Sequence, residues 1–137
     1  MKKLIGILLA LLCSFGMAEA QQTSGNSSVE VFYFHGKRRC ATCQSIEANA
    51  AKTVEQYFKN EKASGRVKMT VIDIDDPKNK ALVEKYEVSS SSLFVTRKTA
   101  GKTFTQDMTN FAFSYSRNDP DKFMKGLKEK ITESLNK

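Results

Sequence analysis

The sequence predicts an α/β domain in which helices pack against a mixed β-sheet. Three observations predict this class. Stretches of branched and aromatic residues, typical of strands, alternate with stretches whose apolar residues recur at the period of a helix. Helical segments separate the first three strands, as in βαβ units, which favours parallel pairing among those strands. A turn at Ala100-Gly101 then predicts a hairpin, which adds antiparallel pairing.

The first half of the domain begins with a strand over residues 29–35. Its apolar character is nearly continuous, which predicts that both of its faces are covered, as at the centre of a sheet. From Cys40 the apolar residues change to helical spacing, and we expect one helix to about Lys62, with Gly65 as its stop signal. Alternating apolar and polar residues predict a second strand over residues 67–74.

The second half predicts a short helix, the two strands of the hairpin and a final helix. The short helix follows the Asp76-Pro77 turn. The final helix starts at Asp119-Pro120, where Asp caps the helix and Pro occupies its first turn. Residues 110–115 fit either a short strand or an aromatic-lined loop. The hairpin strands fall at residues 93–96 and 102–106, which gives the order β, α, β, α, β, β, α.

The N-terminus has the pattern of a secretory signal peptide over residues 1–20. Lys2 and Lys3 precede an apolar stretch, and Ala18-Glu19-Ala20 forms a small-residue cleavage site. An uncleaved anchor, or a lipoprotein modified at Cys13, is the alternative interpretation. Cleavage predicts a periplasmic or secreted protein with no remaining membrane span. A flexible polar leader is expected at residues 21–28 and a single domain at residues 29–137.

Composition and charge exclude several classes of protein. The chain has 137 residues, 40% hydrophobic and 27% charged, which argues against disorder and leaves no room for a two-domain cofactor enzyme. The formal net charge is +7, but the lysines are scattered and no aromatic-basic ladder accompanies them. We therefore expect no nucleic-acid partner. Cleavage would also remove Cys13, leaving no spare thiol for a covalent dimer, and a monomer is expected.

The chemistry of the chain is concentrated in Cys40-Ala41-Thr42-Cys43, where the first strand has ended and the long helix begins. The unpaired N–H groups and the dipole of a helix N-terminus favour a thiolate at Cys40, and the preceding Arg39 acts in the same direction. Helical spacing places Cys43 one turn later, within disulfide reach. The pattern predicts an attacking thiol at Cys40 and a resolving thiol at Cys43.

Other interpretations of this segment stay open. Two thiolates suit Cu(I) or another soft metal ion, and His35 could add a third ligand. His35 could instead assist proton transfer, or simply bond to the backbone at the end of its strand. The cysteines could also be inert in a domain that only binds partners. The aromatic residues Phe111, Phe113 and Tyr115 could line a substrate groove or belong to the core.

These features resemble the thioredoxin superfamily over about residues 29–137. The resemblance rests on the element order, on the Cys40–Cys43 motif and on Tyr86-Glu87-Val88, which is similar to the family's Y-G-V segment. It implies a three-layer α/β/α sandwich around a mixed sheet of four or five strands. It also implies a nucleophilic Cys40, a resolving Cys43 and no cofactor beyond their redox-active disulfide.

The chain departs from the family pattern at three points. Ser91 and Ser92 stand where the family has a cis-proline loop, no acidic residue matches the family's buried carboxylate, and tryptophan is absent. The missing proline strengthens the metal alternative, because in the family that residue helps to exclude metal from the dithiol. By the same resemblance, Ala41, Thr42, Ser91 and Ser92 are expected to contact the partner protein.

A narrower resemblance covers Phe34 to Cys43, where the pattern F-H-G-x-x-R-C-x-T-C is similar to that of small exported thioredoxin-like proteins of the nitrophenyl-compound nitroreductase subunit ArsF type. It implies an electron-transfer role beside a reductase or membrane component. The chain has no flavin or nicotinamide motif of its own. The predicted function is therefore an exported thiol–disulfide oxidoreductase or dithiol electron carrier acting on a protein dithiol or disulfide, with soft-metal binding as the alternative.

Overall fold

A computed structural model describes residues 26–137 of the chain. The expected signal peptide and the first five residues of the expected leader lie outside the described residues. The helices and strands, in chain order, are β1 Ser28–His35, α1 Ala41–Tyr57, α2 Lys59–Ala63, β2 Val67–Asp73, a 3₁₀ turn Pro77–Asn79, α3 Lys80–Lys85, β3 Ser92–Thr99, β4 Lys102–Asp107, α4 Thr109–Tyr115 and α5 Pro120–Leu135. Within residues 26–137, no helix is both long and apolar enough to cross a membrane.

The four strands form one mixed sheet in the order β2-β1-β3-β4. β1 lies between two partners, as its continuous apolar character predicted. It pairs in parallel with β2, with Val29 opposite Val67. It pairs in the antiparallel sense with β3, with Val31 opposite Val95, and β4 returns antiparallel to β3.

The prediction that the first three strands are all parallel is wrong for β3. The crossover between β2 and β3 contains only a 3₁₀ turn and the six-residue helix α3. At about 1.5 Å per residue such a helix covers roughly 9 Å, whereas a seven-residue strand spans roughly 23 Å. The helix is too short to carry the chain back to the end of the sheet where β1 and β2 begin. β3 therefore begins at the opposite end, where β2 finishes, and runs antiparallel to β1.

Helices cover both faces of the sheet, and the domain is the expected three-layer sandwich. Alternate residues of β1 point to opposite faces. Val29, Val31 and Tyr33 lie in a large core cluster with residues of α1, α4 and α5. Phe32 and Phe34 lie in a smaller cluster on the other face, against the side chains of α3.

Two predicted elements differ from the structure. The long helix predicted from Cys40 to Lys62 is interrupted at Phe58, whose backbone leaves the helical region with φ −128° and whose side chain is buried in the core. Residues 110–115 lie in a helix, α4, and form neither a strand nor a loop. Phe111 and Tyr115, four residues apart, pack on the core from one face of this helix, while Phe113 is exposed. The helical spacing of Phe111 and Tyr115 was not recognised in the sequence, because Phe113 between them suggested a strand or an aromatic-lined loop.

Candidate functional site

A disulfide joins Cys40 and Cys43 at the start of α1, with their Cα atoms 5.1 Å apart. Cys40 is the N-cap residue. Its backbone is extended (φ −73°, ψ 165°), and its Sγ accepts a hydrogen bond from the backbone N–H of Cys43 at 3.1 Å. The sulfur of Cys40 therefore occupies the position of the oxygen of a Ser or Asp cap, where the free N–H groups of the first helical turn stabilise negative charge. The prediction that the two cysteines lie within disulfide reach is confirmed.

The two cysteines differ sharply in their access to solvent. Cys40 is exposed, whereas Cys43 is only 6% exposed. Ala41 is exposed and Thr42 half-buried in the first turn of α1, beside Cys40 in sequence. Of the two cysteines, Cys40 is therefore the one that is accessible from solvent.

Two hydroxyl groups contact Cys43 from other parts of the fold. Tyr33, fully buried in β1, donates a hydrogen bond from its hydroxyl to the carbonyl oxygen of Cys43 at 2.8 Å. Ser91, in the segment before β3, places its hydroxyl 3.5 Å from the Sγ of Cys43, within hydrogen-bonding distance of sulfur. Burial raises the pKa of the Tyr33 hydroxyl. A hydrogen bond with Ser91 and the positive charge of Arg39 lower this pKa, but burial has the larger effect.

Arg39 precedes Cys40 but pairs with an acidic side chain of α1. One guanidinium nitrogen of Arg39 lies 2.5 Å from Oε2 of Glu47, and each side chain is 30% exposed. Glu47 therefore balances part of the positive charge of Arg39, which the sequence predicted to favour the Cys40 thiolate. This pair also ties the loop before Cys40 to the first turns of α1.

His35 and Ser92 have local hydrogen-bond partners. His35 ends β1 with Nδ1 3.0 Å from the carbonyl oxygen of Gly36, which matches the interpretation of a strand-end residue bonded to the backbone. The Ser92 hydroxyl donates to the carbonyl oxygen of Ser90 at 3.0 Å and so braces the segment that carries Ser91. Across residues 26–137, no group of three or more His, Cys, Asp or Glu side chains is arranged to hold a metal ion.

Comparison with known proteins gives structural matches only. No protein-family model matches the sequence, and no curated protein is significantly similar to it. A thioredoxin from Thermus thermophilus, 16% identical, superposes with a TM-score of 0.51 over 78% of this chain and 76% of that protein. A malarial protein is 24% identical, with a TM-score of 0.44 over 72% of this chain and 96% of its own. Thioredoxin-2, a component of the malaria parasite protein secretion machinery, is 23% identical, with a TM-score of 0.41 over 59% and 70%.

The chain has a thioredoxin-like fold, as the likeness to the Thermus thermophilus thioredoxin shows. Within that fold, Cys40 and Cys43 form a CxxC pair at disulfide distance at the start of a helix. The sequence did not single out Tyr33, and it did not predict that Ser91 contacts Cys43. Strand alternation could have placed Tyr33 on the α1 side of the sheet, together with Val29 and Val31.

Proposed function

We propose that this protein is a thiol–disulfide oxidoreductase or dithiol electron carrier that works through the Cys40–Cys43 pair. The observation that carries the proposal is the asymmetry of the two cysteines: Cys40 is an exposed helix cap and Cys43, three residues later, is buried. A disulfide that spans only three residues closes too small a loop to stabilise the fold usefully. Its purpose is chemical.

In the reducing direction the reaction proceeds in two exchanges. The Cys40 thiolate attacks a sulfur of the partner disulfide, forming a mixed disulfide and releasing the other partner sulfur as a thiolate. The Cys43 thiolate then attacks the Sγ of Cys40, closing the internal disulfide and releasing the second partner thiolate. Two electrons pass from the cysteine pair to the partner disulfide. The reverse sequence oxidises a partner dithiol.

The environment of Cys40 suits the first exchange. Cys40 is an exposed residue at the N-terminus of the 17-residue helix α1, whose dipole favours the thiolate. Arg39 adds positive charge beside it, reduced by the pairing with Glu47. Ala41, Thr42 and the loop of Ser91 and Ser92 form the surface that we assign to partner contacts.

The cellular setting is a further part of the proposal. The signal-like residues 1–20 support export to an oxidising compartment, where dithiol proteins of this kind act. The F-H-G-x-x-R-C-x-T-C pattern supports a place beside reductase or membrane components, as in the ArsF-type nitroreductase subunits. In that setting the chain would carry electrons, because it has no flavin or nicotinamide motif. We propose that it acts as a monomer on a protein dithiol or disulfide.

The roles of the two cysteines are tested with oxidised glutathione as the probe. Reduced Cys43→Ser should form a stable mixed disulfide at the exposed Cys40, since nothing resolves it. Reduced Cys40→Ser should react far more slowly, because Cys43 is 6% exposed. Mass spectrometry of the intact protein and its peptides locates the glutathione and separates these sites from Cys13.

The wild-type protein is the matched control and should pass through the mixed disulfide to the internal disulfide. Equal labelling of the two single variants would contradict the assigned roles. A wild-type protein that accumulates the mixed disulfide would show that Cys43 does not resolve it.

A further inference from the structure

The reaction of Cys43 poses a chemical problem that the helix N-terminus does not solve. To resolve a mixed disulfide, Cys43 must attack as a thiolate, but its side chain is only 6% exposed. A buried apolar setting opposes the charged form of a thiol. The N–H group of Cys43 donates to Cys40, so the cap geometry favours charge on Cys40 and not on Cys43.

Only one side chain among residues 26–137 hydrogen-bonds to the sulfur of Cys43. It is the hydroxyl of Ser91, 3.5 Å from Sγ. Arg39, the cation that precedes Cys40, is paired with the carboxylate of Glu47. A serine hydroxyl both donates and accepts a hydrogen bond, so it can contact a thiol as an acceptor and a thiolate as a donor.

We propose that Ser91 is a catalytic residue of the resolving step, in which its hydroxyl stabilises the Cys43 thiolate. This inference rests on the proposed function and deepens it. Before attack, the Ser91 oxygen accepts the hydrogen bond of the Cys43 thiol. As the proton leaves to water, the hydroxyl turns and donates to the sulfur. The new bond joins Cys43 to Cys40, the bond between Cys40 and the partner breaks, and the partner sulfur leaves as a thiolate that takes up a proton.

Three further contacts hold Ser91 and Cys43 against each other. From β1, the Tyr33 hydroxyl anchors the first turn of α1 through its 2.8 Å hydrogen bond to the Cys43 carbonyl. On the other side, Ser92 is fixed by pairing with Phe34 of β1, and its hydroxyl bonds to the Ser90 carbonyl. Tyr33 and Ser92 each hydrogen-bond to a backbone carbonyl and not to the sulfur of Cys43. They are therefore positioning residues.

The test separates the two exchanges in time. Reduced protein is mixed with oxidised glutathione, quenched with acid at intervals, and the mixed and internal disulfides are counted by mass over pH 6–10. Ser91→Ala should leave the first step unchanged and slow the second about tenfold at pH 7. The loss of a hydrogen bond to a charged sulfur also predicts that the pH midpoint of the second step rises by about one unit. The two proteins should then converge at high pH.

Ser91→Thr keeps a hydroxyl and should restore the second step to within about threefold of wild type. Ser90→Ala, in the same segment, is the matched control and should leave both steps unchanged. An unshifted pH midpoint in Ser91→Ala, or an equal slowing of both steps, would overturn the role of Ser91 while leaving the proposed function intact. Failure of the wild-type protein to form the mixed disulfide at Cys40 would overturn both.

Discussion

Replacing Tyr33 with Phe removes one hydroxyl from the core beneath Cys43 and leaves the ring in place. The lost hydrogen bond to the Cys43 carbonyl is 2.8 Å long and fully buried. A net protein hydrogen bond contributes about 0.5–1.5 kcal/mol. The carbonyl keeps the helix's own hydrogen bond within α1, so the cost of an unpaired acceptor is not added. We therefore expect Tyr33→Phe to lower the free energy of unfolding by about 1 kcal/mol at neutral pH.

The same variant should change how stability depends on alkaline pH. Burial raises the pKa of Tyr33 in the folded protein above its ordinary value of 10.0. Above that pH the unfolded chain loses this proton while the native state keeps it, so the wild type loses stability by up to about 1.4 kcal/mol per pH unit from this group. The phenylalanine side chain of the variant has no such proton. The wild-type advantage should be complete below pH 10 and should shrink as the pH rises above 10.

Urea denaturation of the oxidised proteins at pH 8 and pH 10.8 measures both effects. Tyr57→Phe, whose ring is 40% exposed, is the matched control and should leave the free energy of unfolding at pH 8 within about 0.5 kcal/mol of wild type. A Tyr33→Phe variant as stable as wild type at pH 8 would contradict the stabilising role of the Tyr33 hydroxyl. A stability difference that stays constant at the higher pH would contradict the raised pKa of this group.

Three further predictions concern packing, backbone and charge. Gly126→Ala places a methyl group into the ring of Phe111, overlapping Cζ and only 2.9 Å from Cε1. Thermal unfolding should therefore show a loss of about 1–3 kcal/mol despite the better helix propensity of Ala, and a gain would contradict this packing. Ala100→Asn should raise the free energy of unfolding by about 0.5–1 kcal/mol, since Ala100 has φ 41° in the first turn position of the hairpin, and an unchanged urea midpoint would argue against strain there. Although partial burial opposes ionisation of Glu30, hydrogen bonds from Lys98 and Thr70 outweigh it and hold its pKa below the ordinary 4.5. The Glu30 carboxylate therefore stabilises the fold above about pH 4.5, and this stabilisation is lost as the pH falls. Lys98→Met should lower the free energy of unfolding by up to about 1 kcal/mol at pH 7, and by progressively less toward pH 3, as measured by urea titrations.

The elements that local chemistry determines were predictable from the sequence. β1 followed from its nearly continuous apolar character, and α5 followed from Asp119, whose side chain accepts a hydrogen bond from the N–H of Lys122 at 3.0 Å. The hairpin followed from Ala100-Gly101, both of which have positive φ. The direction of β3 was not predictable in this way, because it depends on the length of α3 relative to the strands it connects.

In the site, too, the contacts set by local sequence were predictable and those set by tertiary packing were not. Cys40 and Cys43 are three residues apart, so helical geometry alone brings their sulfurs together. Tyr33 and Ser91 reach Cys43 from 10 and 48 residues away in sequence, and only the packing of β1 and β3 against α1 sets those contacts. Arg39 was expected to act on Cys40, but its pairing with Glu47 depends on how the loop before the helix folds.

A redox titration of the purified protein tests the central claim most directly. The protein is equilibrated in glutathione or dithiothreitol buffers, with and without a metal chelator. Its thiols are then alkylated and assigned to Cys40, Cys43 or Cys13 by peptide mass. We expect one reversible two-electron transition of the Cys40–Cys43 pair, between about −120 and −270 mV and independent of the chelator. A pair that never oxidises, or that oxidises only after chelation, would contradict it and favour a soft-metal site.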